Sequence, residues 1–593
     1  MTAAPDPITI EVIASALRSV VDEAFIALMK SAYSTNIKER HDHSTAICDP
    51  QGRLIVQAER SLPIHLASMT GLMKALLARH PIDSIAEGDV FVANDPHVAG
   101  GTHLPDINYA APVFVDGRLL CFIVNIAHHA DIGGMAPGSM AGGMSEIWQE
   151  GLRIPVVRLF RAGVLQQELL DIFLLNARIP EERRGDHFAQ IAACRLGVRR
   201  LAEIGARHGP DLLAQVFDEL CTRTGARMRA AIAGLPDGTY GFEDVMDDDG
   251  LGTTDIPIRL RITVEGDRAT FDWRGTAAQV RGNINLPVNA TQAAIAYALR
   301  ALLDPEIPNN QGVLDCFELL TDRGSLVDCV APAPVAARAH TSQRLIDIII
   351  GALAPALPDR AVGASNGANT TAVFSGTDPR TGQSYLYLET LGGGFGGRAD
   401  RDGRDGVQVH ITNTSNLPVE AIETEYPLRV LGYGFAPDSG GAGQFRGGCG
   451  LVRRIAPVGH DCTFNGAGER FAHAPWGIFG GGPGRCGRFV LVTPEAETAL
   501  PIKPSAVPVP AGAEIRVETP GSGGYGPPAR RLPDAVAADR ASGKFSERWI
   551  ENHYPQATES GTLAGIDGGE DHPAADNRGR STPPRHQQRE DDG

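Results

Sequence analysis

The residues best equipped for chemistry lie in two short stretches, NDPHVAGGTHLPDI (Asn94 to Ile107) and NIAHHADIGG (Asn125 to Gly134). They offer His103, Asp106, His128, His129 and Asp131 within a small compass. Neutral imidazoles and carboxylates are ligands for Mn, Fe or Zn, and two histidines with one carboxylate leave coordination positions open for water or substrate. The bland alternative is that adjacent histidines cap strands or bond to backbone.

The element that must position them is a hairpin. YAAPVFV and RLLCFIVNI flank Asp116-Gly117, a strong two-residue turn signal. Pairing Val115 with Arg118 sets Asp106 across from Ala127, Pro105 across from His128 and His103 across from Ala130. Opposed residues in such a ladder have Cβ atoms about 5 Å apart, so His103, Asp106 and one or both of His128 and His129 can share an ion, with Asp131 beside them. Pro105 excludes a helical HxxD, and Gly100, Gly101, Gly133 and Gly134 let backbone pass close by. A slip of one residue in the pairing would turn the histidines to the other face.

The rest of the chain sets the context. Its 593 residues imply two to four domains, and 69 glycines imply many turns. Acids outnumber bases 71 to 54, a net charge of -17 that argues against nucleic acid and anionic membrane as partners. With no leader-like start and no long apolar run, the cytoplasm is the simplest placement. Nine scattered cysteines without a CxxC pair suggest neither a disulfide framework nor a cysteine zinc site.

Asp6-Pro7 predicts a helix start, and Ile10, Ile13, Leu17, Val20, Val21, Ala24 and Leu28 follow at helical spacing. STAICDPQGRLIVQA predicts two strands around a turn, and HLASMTGLMKALLARH predicts a helix. Helical periodicity gives way to alternation near Leu235. The expected fold is mixed α/β (α+β) and multidomain, with glycine-rich loops and a β-rich C-terminal module. The expected divisions are an N-terminal α/β domain with the His/Asp site over 1–235, a central mixed domain over 236–455 and a β-rich module over 456–535. A helix remnant and a disordered polar tail follow over 536–593.

The strings NDPHVAGGTHLPDI, AHHADIGGMAPGSM and EGLRIP resemble the hydantoinase B/oxoprolinase family, and the likeness runs from about Pro7 to Asp534. ERHDHSTAICDPQGRLIVQA, NLPVEAIETEYP, DSGGAGQFRGGCG and TPGSGGYG are further family-like blocks. The family includes subunits of ATP-dependent hydantoinases, 5-oxoprolinases and, in longer chains, ketone carboxylases. The resemblance implies His103, Asp106 and His128 as ligands of a divalent metal (Mn, Zn or Fe), with His129, Asp131 and Asp42 as catalytic or supporting groups. One departure is Asp42-His43-Ser44, where the family usually has Asp-Phe-Ser.

The chain has no GxxxxGK[ST]; its Gly543-Lys544 is followed by Phe545, and GGGFGG at Gly392 to Gly397 reads as a tight turn. The resemblance therefore implies a hydantoinase A-type ATPase partner that phosphorylates the carbonyl oxygen of a small cyclic amide. Water held by the metal would then attack that carbon, phosphate would leave and the ring would open. Glu39, Arg40, Asp42, Asn94 and Asp95 are expected to line the site. Glu420, Glu423 and Glu425 fit a solvated helix face better. The alternatives are a carboxylase subunit and a non-catalytic scaffold; loss of metal ligands would mark the scaffold, and none is lost.

Overall fold

The computed structural model describes residues 5–555. Its first element, the helix Pro7–Ser31, starts where Asp6 accepts hydrogen bonds from the backbone of Ile8 and Thr9, 3.0 Å each. The apolar stripe from Ile10 to Leu28 is buried. It lies on a seven-stranded sheet made of β1 (His43–Cys48), β2 (Leu54–Gln57), β3 (Val90–Ala93), β4 (Asp106–Val115), β5 (Arg118–His128), β6 (Val157–Arg161) and β7 (Val164–Leu165). The order is β2-β1-β5-β4-β3-β6-β7, antiparallel throughout.

Both faces of this sheet are covered, which is why its central strands are apolar nearly end to end. Ile47, Tyr109, Ala111, Cys121 and Ile123 share a core with the helices Pro7–Ser31 and Pro180–His208. The helix Pro180–His208 comes close because Gly197 faces Ile123; a Cβ there would lie 2.6 Å from Ile123 Cγ1. Ala46, Cys48, Ala110, Phe122, Val124 and Ile126 point the other way, into a core shared with the helices His65–Arg79, Val288–Leu303 and Arg338–Leu353.

The hairpin forms at Asp116-Gly117, but its register departs from the simple ladder. Val115 pairs with Arg118 and Phe114 with Leu119, then Val113 pairs with Cys121. Leu120 is an extra residue on β5, a bulge that advances every later pair by one. Asp106 therefore stands opposite His128, not Ala127.

The expected seams fare differently. Near 235 the helix Pro210–Ile232 ends and the strand Gly238–Asp248 opens a four-stranded sheet, yet one apolar core runs across that point. Position 455 falls inside the strand Leu451–Pro457, which pairs with Leu428–Phe435. The strand Thr370–Thr377 likewise pairs with Cys462–Ala467. The β-rich region thus begins well before 456, because strand pairing joins segments that local patterning treats as separate. Two helices, Pro533–Ala541 and Glu547–His553, close the described chain; the expected tail lies outside the described residues.

The glycine run 392–397 packs backbone against backbone. A Cβ on Gly394 would lie 2.2 Å from Gly448 O, and one on Gly396 1.8 Å from Gly363 O. All nine cysteines are free, and eight are buried. No helix among the described residues is long and apolar enough to cross a membrane.

Candidate metal centre

The open end of the β4–β5 hairpin meets the start of the helix Arg338–Leu353, the strands Thr370–Thr377 and Ser384–Leu391, and the loop that follows Ile411. They enclose a cavity of about 40 Å³ walled by His65, His103, Asp106, His128 and Arg338, among others. One ligand atom each from His103, Asp106 and His128 falls within 4.8 Å of the others. The bulge makes this possible, since directly opposed residues share a face of the sheet.

His103 Nδ1 lies 3.0 Å from Ala336 O, an atom that only accepts, so Nδ1 carries the proton and Nε2 a free lone pair. That Nε2 is 3.0 Å from Asp106 Oδ1, yet both atoms are buried without a hydrogen-bond partner. Two orphaned polar atoms facing each other beside a second imidazole, that of His128, form a set that a divalent cation would satisfy. Arg338 Nη2 donates to the other Asp106 oxygen at 2.5 Å, and its Nε to Thr102 Oγ1. His128 Nδ1 accepts from Asn36 Nδ2 at 2.8 Å, so that nitrogen already has a partner.

The electrostatics suit cation ligands. Burial, reinforced by Arg338 for His103 and by His103 for His128, lowers both imidazoles below their ordinary range and keeps them neutral. Burial opposes ionisation of Asp106, but the Arg338 guanidinium, which donates to its Oδ2, holds the carboxyl below the usual range. Burial, with a contribution from the Asp106 charge, lifts Asp42 to about 7 against the pull of Arg40.

Of the remaining sequence candidates, Asp42 and Arg40 line the cavity. Asp42 is tied in by His128 N, which donates to Asp42 O at 3.0 Å, and its Oδ1 lies 3.7 Å from His65 Nε2. His129 and Asp131 do not reach it. Being adjacent to His128 on an extended chain, His129 points to the opposite face. There its Nε2 donates to Gln190 Oε1 at 2.9 Å and its ring packs 4.7 Å from that of His187. Asp131 accepts from the backbone of Gly133, Gly138 and Arg178 and from Arg178 Nη1, which makes it a loop brace.

Asn94 bridges the backbone of Leu104, Leu152 and Ile154. Asp95 caps His97 and Val98 and pairs with Arg153. Glu39 is 3.9 Å from Lys38. On the short helix Val419–Glu425, Glu420 is exposed, Glu423 accepts from Val430 N, and Glu425 pairs with Lys38. None of these lines the cavity. The unusual His43 also turns away, stacking on Phe25 at 4.0 Å, so that departure does not alter the cavity wall.

Sequence reasoning missed His65, Arg338, His340, Thr390, Thr412 and Thr414, all in the wall. It also missed Glu150, whose Oε1 accepts from Val335 N and Ala336 N, 2.7 Å each, and so fixes the carbonyl that orients His103. Charged groups on the otherwise buried helix Arg338–Leu353 were the one available signal.

A family model described as Hydantoinase B/oxoprolinase matches residues 6–528. The chain belongs to that family. It is 35% identical over 553 residues to an uncharacterised protein of Methanocaldococcus jannaschii, covering 93% of this chain and 96% of that one. It is 31% identical to caprolactamase subunit beta of Pseudomonas jessenii, covering 91% and 94%. The crystal structure of the ATP-dependent caprolactamase from that organism superposes with a TM-score of 0.88 over 94% of this chain and 99% of that one, at 29% identity. 5-Oxoprolinase 1 of Arabidopsis thaliana is 34% identical over 84% of this chain, which spans 40% of that longer protein. A nucleotide-free acetone carboxylase structure matches with a TM-score of 0.85 over 93% of this chain and 79% of that one; at 20% identity this likeness concerns the fold alone.

Proposed function

We propose that this family member is the metal-bearing subunit of an ATP-dependent cyclic-amide hydrolase of the hydantoinase, 5-oxoprolinase or caprolactamase kind, paired with a hydantoinase A-type ATPase subunit. The carrying observation is the buried, unpartnered pair His103 Nε2 and Asp106 Oδ1 with His128 beside it. The likeness along nearly the whole length of a caprolactamase beta subunit supports the reaction class and the need for a partner. The lack of a phosphate-binding lysine loop agrees with ATP being used on the partner.

His103, Asp106 and His128 would hold a divalent ion, which when bound supplies Lewis acidity and a water of lowered pKa. Arg338 keeps Asp106 ionised and oriented. Asp42, in the wall of the same cavity, would take a proton from the attacking water and return it to the ring nitrogen.

Atom balance fixes the order of the later steps. With the amide oxygen phosphorylated by the partner, water oxygen bonds to the ring carbon. Loss of phosphate at that point would only regenerate the amide, so the C–N bond breaks first, nitrogen takes the proton and an acyl phosphate remains. A second water then releases phosphate and the open-chain acid. ATP and two waters are consumed for each ring.

The test is ring opening by the purified two-subunit complex with ATP and, in turn, hydantoin, 5-oxoproline and caprolactam, beside elemental analysis of wild type, His103→Ala and His128→Ala. Ring opening together with near-stoichiometric Mn, Zn or Fe that both variants lose is expected. A wild-type complex that opens a ring without any bound metal would remove the metal role. One that opens none of the three would remove the hydrolase reading.

A further inference from the structure

Besides the His/Asp triad, the cavity wall carries buried polar atoms without partners. Arg40 is fully buried, and its Nη1 and Nη2 donate to uncharged partners, Asn36 Oδ1 and Thr390 Oγ1. Its Nε has no partner, and its ion pair, to Asp42 Oδ2, is long at 4.0 Å. Thr414 Oγ1 and His340 Nδ1 are also buried and unpartnered. Arg40, Thr414 and His340 all line the cavity, and so does the first turn of the helix Arg338–Leu353 from Ala337 to His340. The helix start adds partial positive charge to that wall, while the backbone N–H groups of Ala337, Arg338 and His340 are already bonded to Asn283 O, Val335 O and Ala337 O.

A buried guanidinium without a close counter-ion is costly, and unused donors beside it add to the cost. An anion from outside the chain would relieve both. We infer that Arg40, Thr414 and the start of the helix Arg338–Leu353 form an oxyanion subsite that takes the phosphoryl group of the activated substrate, facing His103, Asp106 and His128. This rests on the hydrolase reading and adds to it the residues that would hold the phosphoryl group.

One feature favours a phosphoryl group over a planar carboxylate: the unpartnered groups belong to separate segments, Arg40 before β1, His340 on the helix Arg338–Leu353 and Thr414 in the loop after Ile411, and oxygens that do not share a plane suit such an arrangement. The cavity, about 40 Å³, has room for a few waters, so a phosphorylated ring needs the walls to part.

The test is calorimetric titration of the Mn-loaded full chain with inorganic phosphate, and with acetate and bicarbonate at equal ionic strength, in wild type, Arg40→Gln, Arg40→Lys and Thr414→Val. One phosphate per chain is expected, with acetate and bicarbonate weaker. Phosphate affinity should fall about ten-fold or more in Arg40→Gln and less in Arg40→Lys and Thr414→Val, with metal content unchanged. Near-isosteric Thr414→Val carries the test if Arg40→Gln does not fold. No phosphate binding, equal binding in all variants, or equal binding of acetate would overturn the subsite. Ring opening by the wild-type complex separates the two ideas. Opening without phosphate binding rejects the subsite and keeps the hydrolase; phosphate binding lost in the variants without any ring opening does the reverse.

Discussion

Replacing Glu150 by Gln should remove a pH-dependent cost from the fold. The side chain is fully buried; Oε1 accepts from Val335 N and Ala336 N, while Oε2 has no partner. Burial pushes its pKa from 4.5 up to about 8, against the two backbone donors and Arg338. Because the folded value lies above the unfolded one, the favourable contribution is complete below about pH 4.5 and is lost as pH rises towards 8. At pH 7 the unfolded chain has released this proton and the folded chain still holds it, which costs about 3 kcal/mol, and about 1 kcal/mol at pH 5. Gln keeps the accepting oxygen and carries no charge. Urea unfolding at pH 5 and pH 7 should therefore show wild type losing roughly 2 kcal/mol more than Glu150→Gln between the two. Since Ala336 O stays in place, the variant should match wild type in metal content by elemental analysis. Equal pH dependence in the two proteins would refute the assignment of a buried, proton-holding Glu150.

Four further outcomes follow from the geometry. His129→Ala should leave metal content at the wild-type level in elemental analysis, because that ring bonds to Gln190 on the far face of the sheet. Asp131→Ala removes four hydrogen bonds to a buried carboxylate and should destabilise the fold by about 3 kcal/mol in urea unfolding, with metal content unchanged. Asp6→Ala deletes the cap of the first helix and should lower the urea midpoint in the same assay. Asp244 is held at about 2: burial opposes ionisation, but Arg344 and Arg470 outweigh it. Its stabilisation is complete above about pH 4 and lost as pH falls towards 2, so Asp244→Asn should show a shallower acid unfolding curve than wild type.

Short-range patterning by itself determined a good deal. The cap at Asp6 and the stripe from Ile10 to Leu28 made the first helix legible, since both depend on neighbours within one or two turns. Asp116-Gly117 marked the hairpin, and the residue types at its open end offered His103, Asp106 and one or both of His128 and His129 as candidate ligands. Tertiary structure alone decided how they meet. Leu120, indistinguishable in the sequence from any strand residue, is accommodated as a bulge, and that single extra residue brings Asp106 opposite His128. Strand alternation then sends His129 to the other face, although His128 and His129 are alike in type. Arg338, His340 and Thr414 lie more than two hundred residues beyond β5, and Glu150 acts through the backbone of Val335 and Ala336. Residues so far apart come together only because one apolar core gathers the first sheet and the helix Arg338–Leu353, and no local pattern carries that information.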